Sequence, residues 1–193
     1  MNNNLKSHDG WFERGSEWRL WDLHLHTPCS YDYKDKSVTN EEIISNLKKN
    51  NISAAVVTDH FQMDVEKITN LIELGKSENI LILPGIELTS ELGGRDSVHY
   101  IGIFDNNDVN YIWEDLKAKL KLRKKDIKTQ GGFENYYVPI DKGCKCIHAL
   151  GGIVSIHAGN KTNTIENIKG SKLKGKVKED LLHHNIDILE IVG

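Results

Sequence analysis

Apolar positions along the chain recur with two periods. Arg19–His26 alternates like a strand, and Ile52–Thr58 is a short apolar run of the kind buried on both faces. Ile80–Leu83 is a second such run, closed by Pro84-Gly85, and Val98–Phe104 alternates again. Ile153–His157 and Ile186–Val192 read as two further strands. Helical repeats lie between them. Thr39-Asn40-Glu41-Glu42 has the capping-box pattern and precedes Ile43, Ile44 and Leu47. Asp64 can cap a helix with Ile68, Leu71, Ile72 and Gly75 on one face. Ile112, Trp113, Leu116 and Leu120 share one side of a helix over Val109–Leu122. Asp141–Leu150 reads as a helix ended by Gly151-Gly152, and Lys176–His183 as a short one. Strands alternating with helices imply an α/β fold with a parallel sheet or barrel. Residues 1–18 are expected to form a polar N-terminal arm, and residues 19–193 one domain.

Composition narrows the class. The 193 residues suit a single domain, and the 38% hydrophobic content excludes wholesale disorder. No apolar run approaches the roughly 18–20 residues of a membrane helix. The opening MNNNLKSHDG lacks the apolar centre of a signal peptide. Three cysteines do not make a disulfide scaffold and point to a reducing, cytoplasmic setting. Net charge is only −3, but nine histidines accompany 28 carboxylates. That inventory favours metal binding and raises the question of where the histidines fall.

They fall at strand ends. The first strand ends Asp22-Leu23-His24-Leu25-His26, and residues two apart on a strand share a face. The second ends Thr58-Asp59-His60, the third leads to Glu87, the fourth contains His99, and the fifth ends at His157. Ligands in parallel α/β folds collect at the C-terminal ends of strands. Histidine and carboxylate donors without cysteine suit Mn, Zn or Fe and leave Mg possible. The donors exceed the needs of one ion, so two to three divalent metals are expected. Paired ions assist in-line displacement by neutralising charge and acidifying water. Hydrolysis follows, most naturally of a phosphoester.

Taken together, Asp-Leu-His-Leu-His-Thr-Pro, Thr-Asp-His, Pro-Gly-Ile-Glu, His99 and Ser-Ile-His-Ala-Gly resemble the PHP (polymerase and histidinol phosphatase) family over residues 19–193. Gly-Ser-Glu-Trp at 15–18, Glu-Leu-Gly-Gly at 91–94 and the segment from His157 to Glu166 look like the N-terminal PHP domain of TrlF-like proteins, where an ATPase domain follows. The resemblance implies a distorted (β/α)7 TIM-like barrel with a multinuclear metal centre at its C-terminal rim. It implies His24 and His26 as ligands of one metal, and Asp32 and His60 of another. Glu87 would bridge two ions, and His99 and His157 would complete the set. Asp22 and Asp59 would orient imidazoles from behind. The family's last motif, Asp-x-His, is absent. The domain is therefore expected to lack its last strand, to leave the sixth as an open edge and to be impaired in activity.

Two basic stretches stand out. Lys117–Lys128 carries a net +6 and Lys161–Lys178 a net +5, which leaves the remainder strongly acidic. Either could guide a nucleic-acid backbone, or simply be solvated surface, and no aromatic residues interleave with either run. Lys161 and Arg95 are candidates to bind a substrate phosphate. Cys144 and Cys146 should point in different directions, and Cys29, His8, His148, His183 and His184 read as packing or surface residues. The expected activity is hydrolysis of a nucleic-acid phosphodiester, or of a nucleotide or small phosphomonoester. The alternatives are a non-catalytic, metal-stabilised module serving a partner ATPase, and an amidohydrolase, whose first barrel strand also carries HxH.

Overall fold

The computed structural model describes residues 18–91, 97–159, 164–165, 183 and 185–192. The order is β1 (Leu20–Leu25), α1 (Asn40–Lys49), β2 (Ile52–Val57), α2 (Val65–Ser77), β3 (Leu81–Glu91), β4 (Ser97–Ile103), α3 (Val109–Lys119), α4 (Lys124–Thr129), a 3-10 turn (Phe133–Asn135), α5 (Ile140–Ala149), β5 (Ile153–Gly159) and β6 (Ile188–Val192). The expected arm precedes the described residues except for Trp18, which is exposed. The helix expected over Lys176–His183 lies outside them apart from His183.

Local signals set the helix starts. At α1 the Glu42 N–H donates to Thr39 Oγ1 at 3.2 Å, and the Thr39 N–H donates to Glu42 Oε2 at 2.8 Å. This completes the capping box read in the sequence. At α2 the Lys67 N–H donates to Asp64 Oδ1 at 3.1 Å. The helix expected over Val109–Leu122 ends earlier, at Lys119. Lys121 adopts φ +59°, a left-handed conformation that breaks the helical run before α4.

The six strands form one mixed sheet in the order β1-β2-β3-β4-β5-β6. The parallel arrangement expected from the alternation is corrected at one strand: β4 runs antiparallel to both β3 and β5. Only residues 92–96 separate β3 from β4, too few for the dozen or more that a parallel crossover needs. A second correction concerns Pro84-Gly85, which does not end the third strand. β3 changes partner there, pairing with β2 up to Pro84 and with β4 from Gly85 onward. A Cβ on residue 85 would stand 2.6 Å from Val56 Cγ1 and 2.9 Å from the Gly102 carbonyl, so only glycine permits the changeover.

The helices bury their apolar faces against the sheet in one main core, with Ile43, Ile44 and Leu47 from α1 and Ile68 and Leu71 from α2. A smaller cluster of Val56, Ile101 and Ile103, flanked by Leu23, Leu83 and Ile188, packs separately. The sheet is curled so that His24 on β1 reaches Glu190 on β6. β6 is pinned at its start. The Asp187 N–H donates to the Val154 carbonyl at 2.9 Å, the Val154 N–H donates to Asp187 Oδ2 at 2.7 Å, and His148 Nε2 lies 2.9 Å from the same oxygen. His148, expected as a packing or surface residue, thus helps fix the start of β6.

α5 approaches β4 closely through Gly143. A Cβ there would stand 2.7 Å from Cε2 and 2.8 Å from Cζ of Tyr100, which is fully buried and donates to the Val138 carbonyl at 3.1 Å. Gly143→Ala is expected to destabilise the fold by about 1–3 kcal/mol through overpacking, read as a lower urea midpoint with an unchanged slope.

Candidate metal centre

The sheet's pairing delivers its donors to one rim. His24 leaves β1 near its end, and His26 follows in the next turn. His60 follows β2 in a tight segment bonded to Glu87 on both sides. The Glu87 N–H donates to the Asp59 carbonyl at 3.3 Å, and the Phe61 N–H donates to the Glu87 carbonyl at 3.0 Å. Phe61 adopts φ +55°, an uncommon left-handed conformation for a bulky residue, immediately beside the site. His157 comes from β5 and Glu190 from β6. His99 stands near the start of β4, and the antiparallel direction of that strand is what brings it to the rim where its neighbours end.

Glu87 is the hub, with only 1% of its surface exposed. Its Oε2 lies 2.9 Å from His24 Nε2, 2.7 Å from His26 Nε2 and 3.4 Å from His60 Nε2. Its Oε1 lies 2.5 Å from His99 Nδ1 and 3.9 Å from His157 Nε2. Around this hub are a group of His26, Asp32 and His60 and a group of His24, His157 and Glu190. Asp32 stands 3.4 Å from His26 Nδ1 and 3.5 Å from His60 Nε2, and it accepts from Ser30 Oγ at 2.6 Å. These residues line an open cavity of about 730 Å³.

The proton distribution reflects crowding. Burial works to raise Glu87, but the imidazoles of His24, His26 and His99 win and hold it far below the usual carboxylate range. Burial works to lower His24, but Glu190 and Glu87 raise it to about 10. His26 is raised in the same sense. Burial prevails at His60, which is lowered, and at His157, which falls to about 4. Without cations, protons on some imidazoles therefore balance the buried carboxylate.

The donor set fits divalent metal. His24 Nε2 and His26 Nε2 converge to 3.1 Å on a shared carboxylate oxygen. His60 Nδ1 and Glu190 Oε2 are buried without a hydrogen bond. Nitrogen and carboxylate oxygen without sulfur suit Mn, Zn or Fe better than Mg.

All seven sequence candidates for ligands, His24, His26, Asp32, His60, Glu87, His99 and His157, meet in this cavity. The two carboxylates expected behind the imidazoles bond otherwise. Asp59 accepts from the N–H and hydroxyl of Thr27, both at 2.7 Å, and Asp22 accepts from the His24 backbone N–H at 3.1 Å. Asp59 holds the turn after β1 and Asp22 the main chain within β1, and neither bonds to an imidazole among the described residues. Asp32 and Glu190 stand behind imidazoles instead, Glu190 Oε1 lying 3.0 Å from His24 Nδ1. Sequence reasoning missed Glu190. Its signal was a lone acid inside Ile-Leu-Glu-Ile-Val, on the opposite strand face from Leu189 and Ile191. Arg95 and Lys161 lie outside the described residues.

No protein-family model and no curated protein matches the chain in sequence. Solved structures do match in fold. A protein of Bifidobacterium adolescentis provisionally named a metal-dependent phosphoesterase aligns at TM-score 0.60 and 14% identity over 89% of this chain and 77% of that one. An amidohydrolase of Chromobacterium violaceum, with bound sulfate and no metal, aligns at 0.55 and 14% over 88% and 75%. A two-domain protein of Bacteroides vulgatus containing a predicted PHP-like metal-dependent phosphoesterase aligns at 0.53 and 12%, over 88% of this chain and 43% of that one. The chain has the mixed α/β fold shared by these proteins.

Proposed function

We propose that the chain is a metal-dependent phosphoester hydrolase of the PHP type, with His24, His26, Asp32, His60, Glu87, His99, His157 and Glu190 holding two to three divalent ions. The observation that carries the reading is the convergence of these eight side chains on one open cavity around one buried carboxylate. Bound divalent ions would supply an acidified water and neutralise charge on a displaced phosphoryl oxygen. Glu87 offers an oxygen to each side of the cluster. Glu190 and Asp32 fix the faces of His24 and His26, and Ser30 sets Asp32. The substrate we propose is a phosphodiester of nucleic acid, with a nucleotide or small phosphomonoester next. The PHP motifs and two of the three structural relatives support this reading. The narrower likeness to TrlF-like proteins adds a partner ATPase to the proposal. The Chromobacterium relative favours a second reading, amide hydrolysis, which an amide substrate panel run beside phosphoesters separates.

Elemental analysis of the purified chain should find more than one divalent ion per molecule. Turnover of bis(p-nitrophenyl) phosphate should vanish in EDTA and return with Mn. A metal-free protein inactive with every divalent ion, or one that cleaves only amides, overturns the phosphoesterase reading. Glu87→Gln is expected to abolish turnover and metal retention together, and wild-type rates in that variant would contradict the assigned hub.

Glu190→Gln keeps the shape but removes the charge behind His24. Its expected effect is an approximately 10–100-fold weaker metal affinity, measured by competition with a chromophoric chelator. Proton linkage gives a further expectation. In the metal-free protein His24 is protonated below about 10, so a cation taking its nitrogen must displace a proton. Metal titration in weak buffer should release protons, and apparent affinity should rise as pH rises toward that value.

A further inference from the structure

Away from the donor cluster, the basic stretch over α3 and α4 acquires the aromatic surface that the sequence did not show beside it. Trp113 and Phe133 line one cavity of about 320 Å³ with Lys117, Arg123 and Lys124. Trp113 and Lys124 also line a neighbouring cavity of about 550 Å³. Lys117 Nζ stands 5.5 Å above the Trp113 ring and is paired with Glu114, and Lys119 is paired with Asp115 at 2.8 Å. Among the described residues, Lys121, Arg123, Lys124, Lys125 and Lys128 have no carboxylate partner, and all five are exposed. An unneutralised cluster of that kind is poised for a polyanion.

The cluster is joined to the metal centre by rings. Phe133 stacks on Tyr31 with centroids 5.0 Å apart and planes 8° from parallel. Tyr31 in turn lies 5.1 Å from the ring of His60, one of the donors. A track thus runs from the donor cavity, past the rings of Tyr31 and Phe133, where Asp32 and Glu134 lie close to Tyr31, to Trp113 and the cations Arg123 and Lys124. Cations beside successive flat rings suit a chain that carries phosphates and unpaired bases, whereas a duplex keeps its base faces covered.

We propose that this track binds a single-stranded nucleic acid and leads its backbone to the metal centre. The proposal rests on the phosphoester reading for what happens at the end of the track, and on the α3–α4 surface alone for the binding.

The test measures binding of a fluorescent single-stranded oligonucleotide, and of the duplex of the same sequence, to the full chain in EDTA across a salt series. Binding is then independent of turnover. The double variant R123E/K124E, at two exposed positions, should weaken single-strand binding about tenfold or more and lower the salt slope by roughly one to two. Trp113→Ala should weaken binding about tenfold with the slope unchanged, as loss of stacking does. K49E/K76E makes the same charge change on α1 and α2 and should leave binding in place. Unchanged single-strand binding in R123E/K124E, equal loss in K49E/K76E, or tighter binding of the duplex overturns the proposal. If Trp113→Ala fails to fold, the exposed double variant decides alone. Wild-type protein that binds the oligonucleotide through this surface but never hydrolyses bis(p-nitrophenyl) phosphate counts against the phosphoester reading and upholds the track.

Discussion

Glu87 is almost wholly removed from water, and a carboxylate at that depth stays ionised only where donors or positive charge meet both oxygens. Five imidazoles supply that environment, all within 3.9 Å of it. Each imidazole brings its own requirement. His24 needs Glu190 at its other nitrogen, and His26 and His60 need Asp32, which needs Ser30. Strands far apart in the chain are thereby held in one arrangement by a chain of charge compensation that begins at a single residue. The Phe61 backbone, turned left-handed between His60 and the core, shows the constraint overriding local preference.

The sheet's irregularity serves the same end. Where β3 leaves β2 for β4 at Pro84-Gly85, the strand continues deep enough to place Glu87 under the rim. The antiparallel return then presents His99 from the start of β4, on the same side as histidines that close parallel strands. A uniformly parallel sheet would carry residue 99 to the opposite end. Here topology and donor geometry are one arrangement seen at two scales.

Much of this was legible in the sequence because the responsible signals are local. The capping box at Thr39, the Asp64 cap and the HxH spacing each operate within a few residues, and each is realised. Six donors could be named because each lies in or beside an apolar strand, and Asp32, in the loop after β1, only through the family resemblance. The rest depended on contacts between distant segments. Pro84-Gly85 reads as a stop until one sees that two strands share β3, and the reversal of β4 follows from a short connection whose meaning depends on pairing. Glu190 escaped because its partner His24 is 166 positions away. Asp22 and Asp59 were given imidazoles that Glu190 and Asp32 serve, since adjacency in sequence does not say where a carboxylate turns. The aromatic surface beside the basic run went unread because Trp113 and Phe133 flank the run without interleaving with it, and Tyr31 comes from a distant segment.

The meeting of His24 and Glu190 also joins the first strand of the sheet to the last through side chains. A cation held by His24, His157 and Glu190 would therefore act as a removable cross-link, closing a loop of most of the chain as a disulfide does, but reversibly and with selectivity for the ion. Cation supply would then set how tightly the two ends of the sheet are held together as well as whether the cavity is ready for chemistry. Amides of β1 and β6 would exchange with solvent at a rate that reports occupancy.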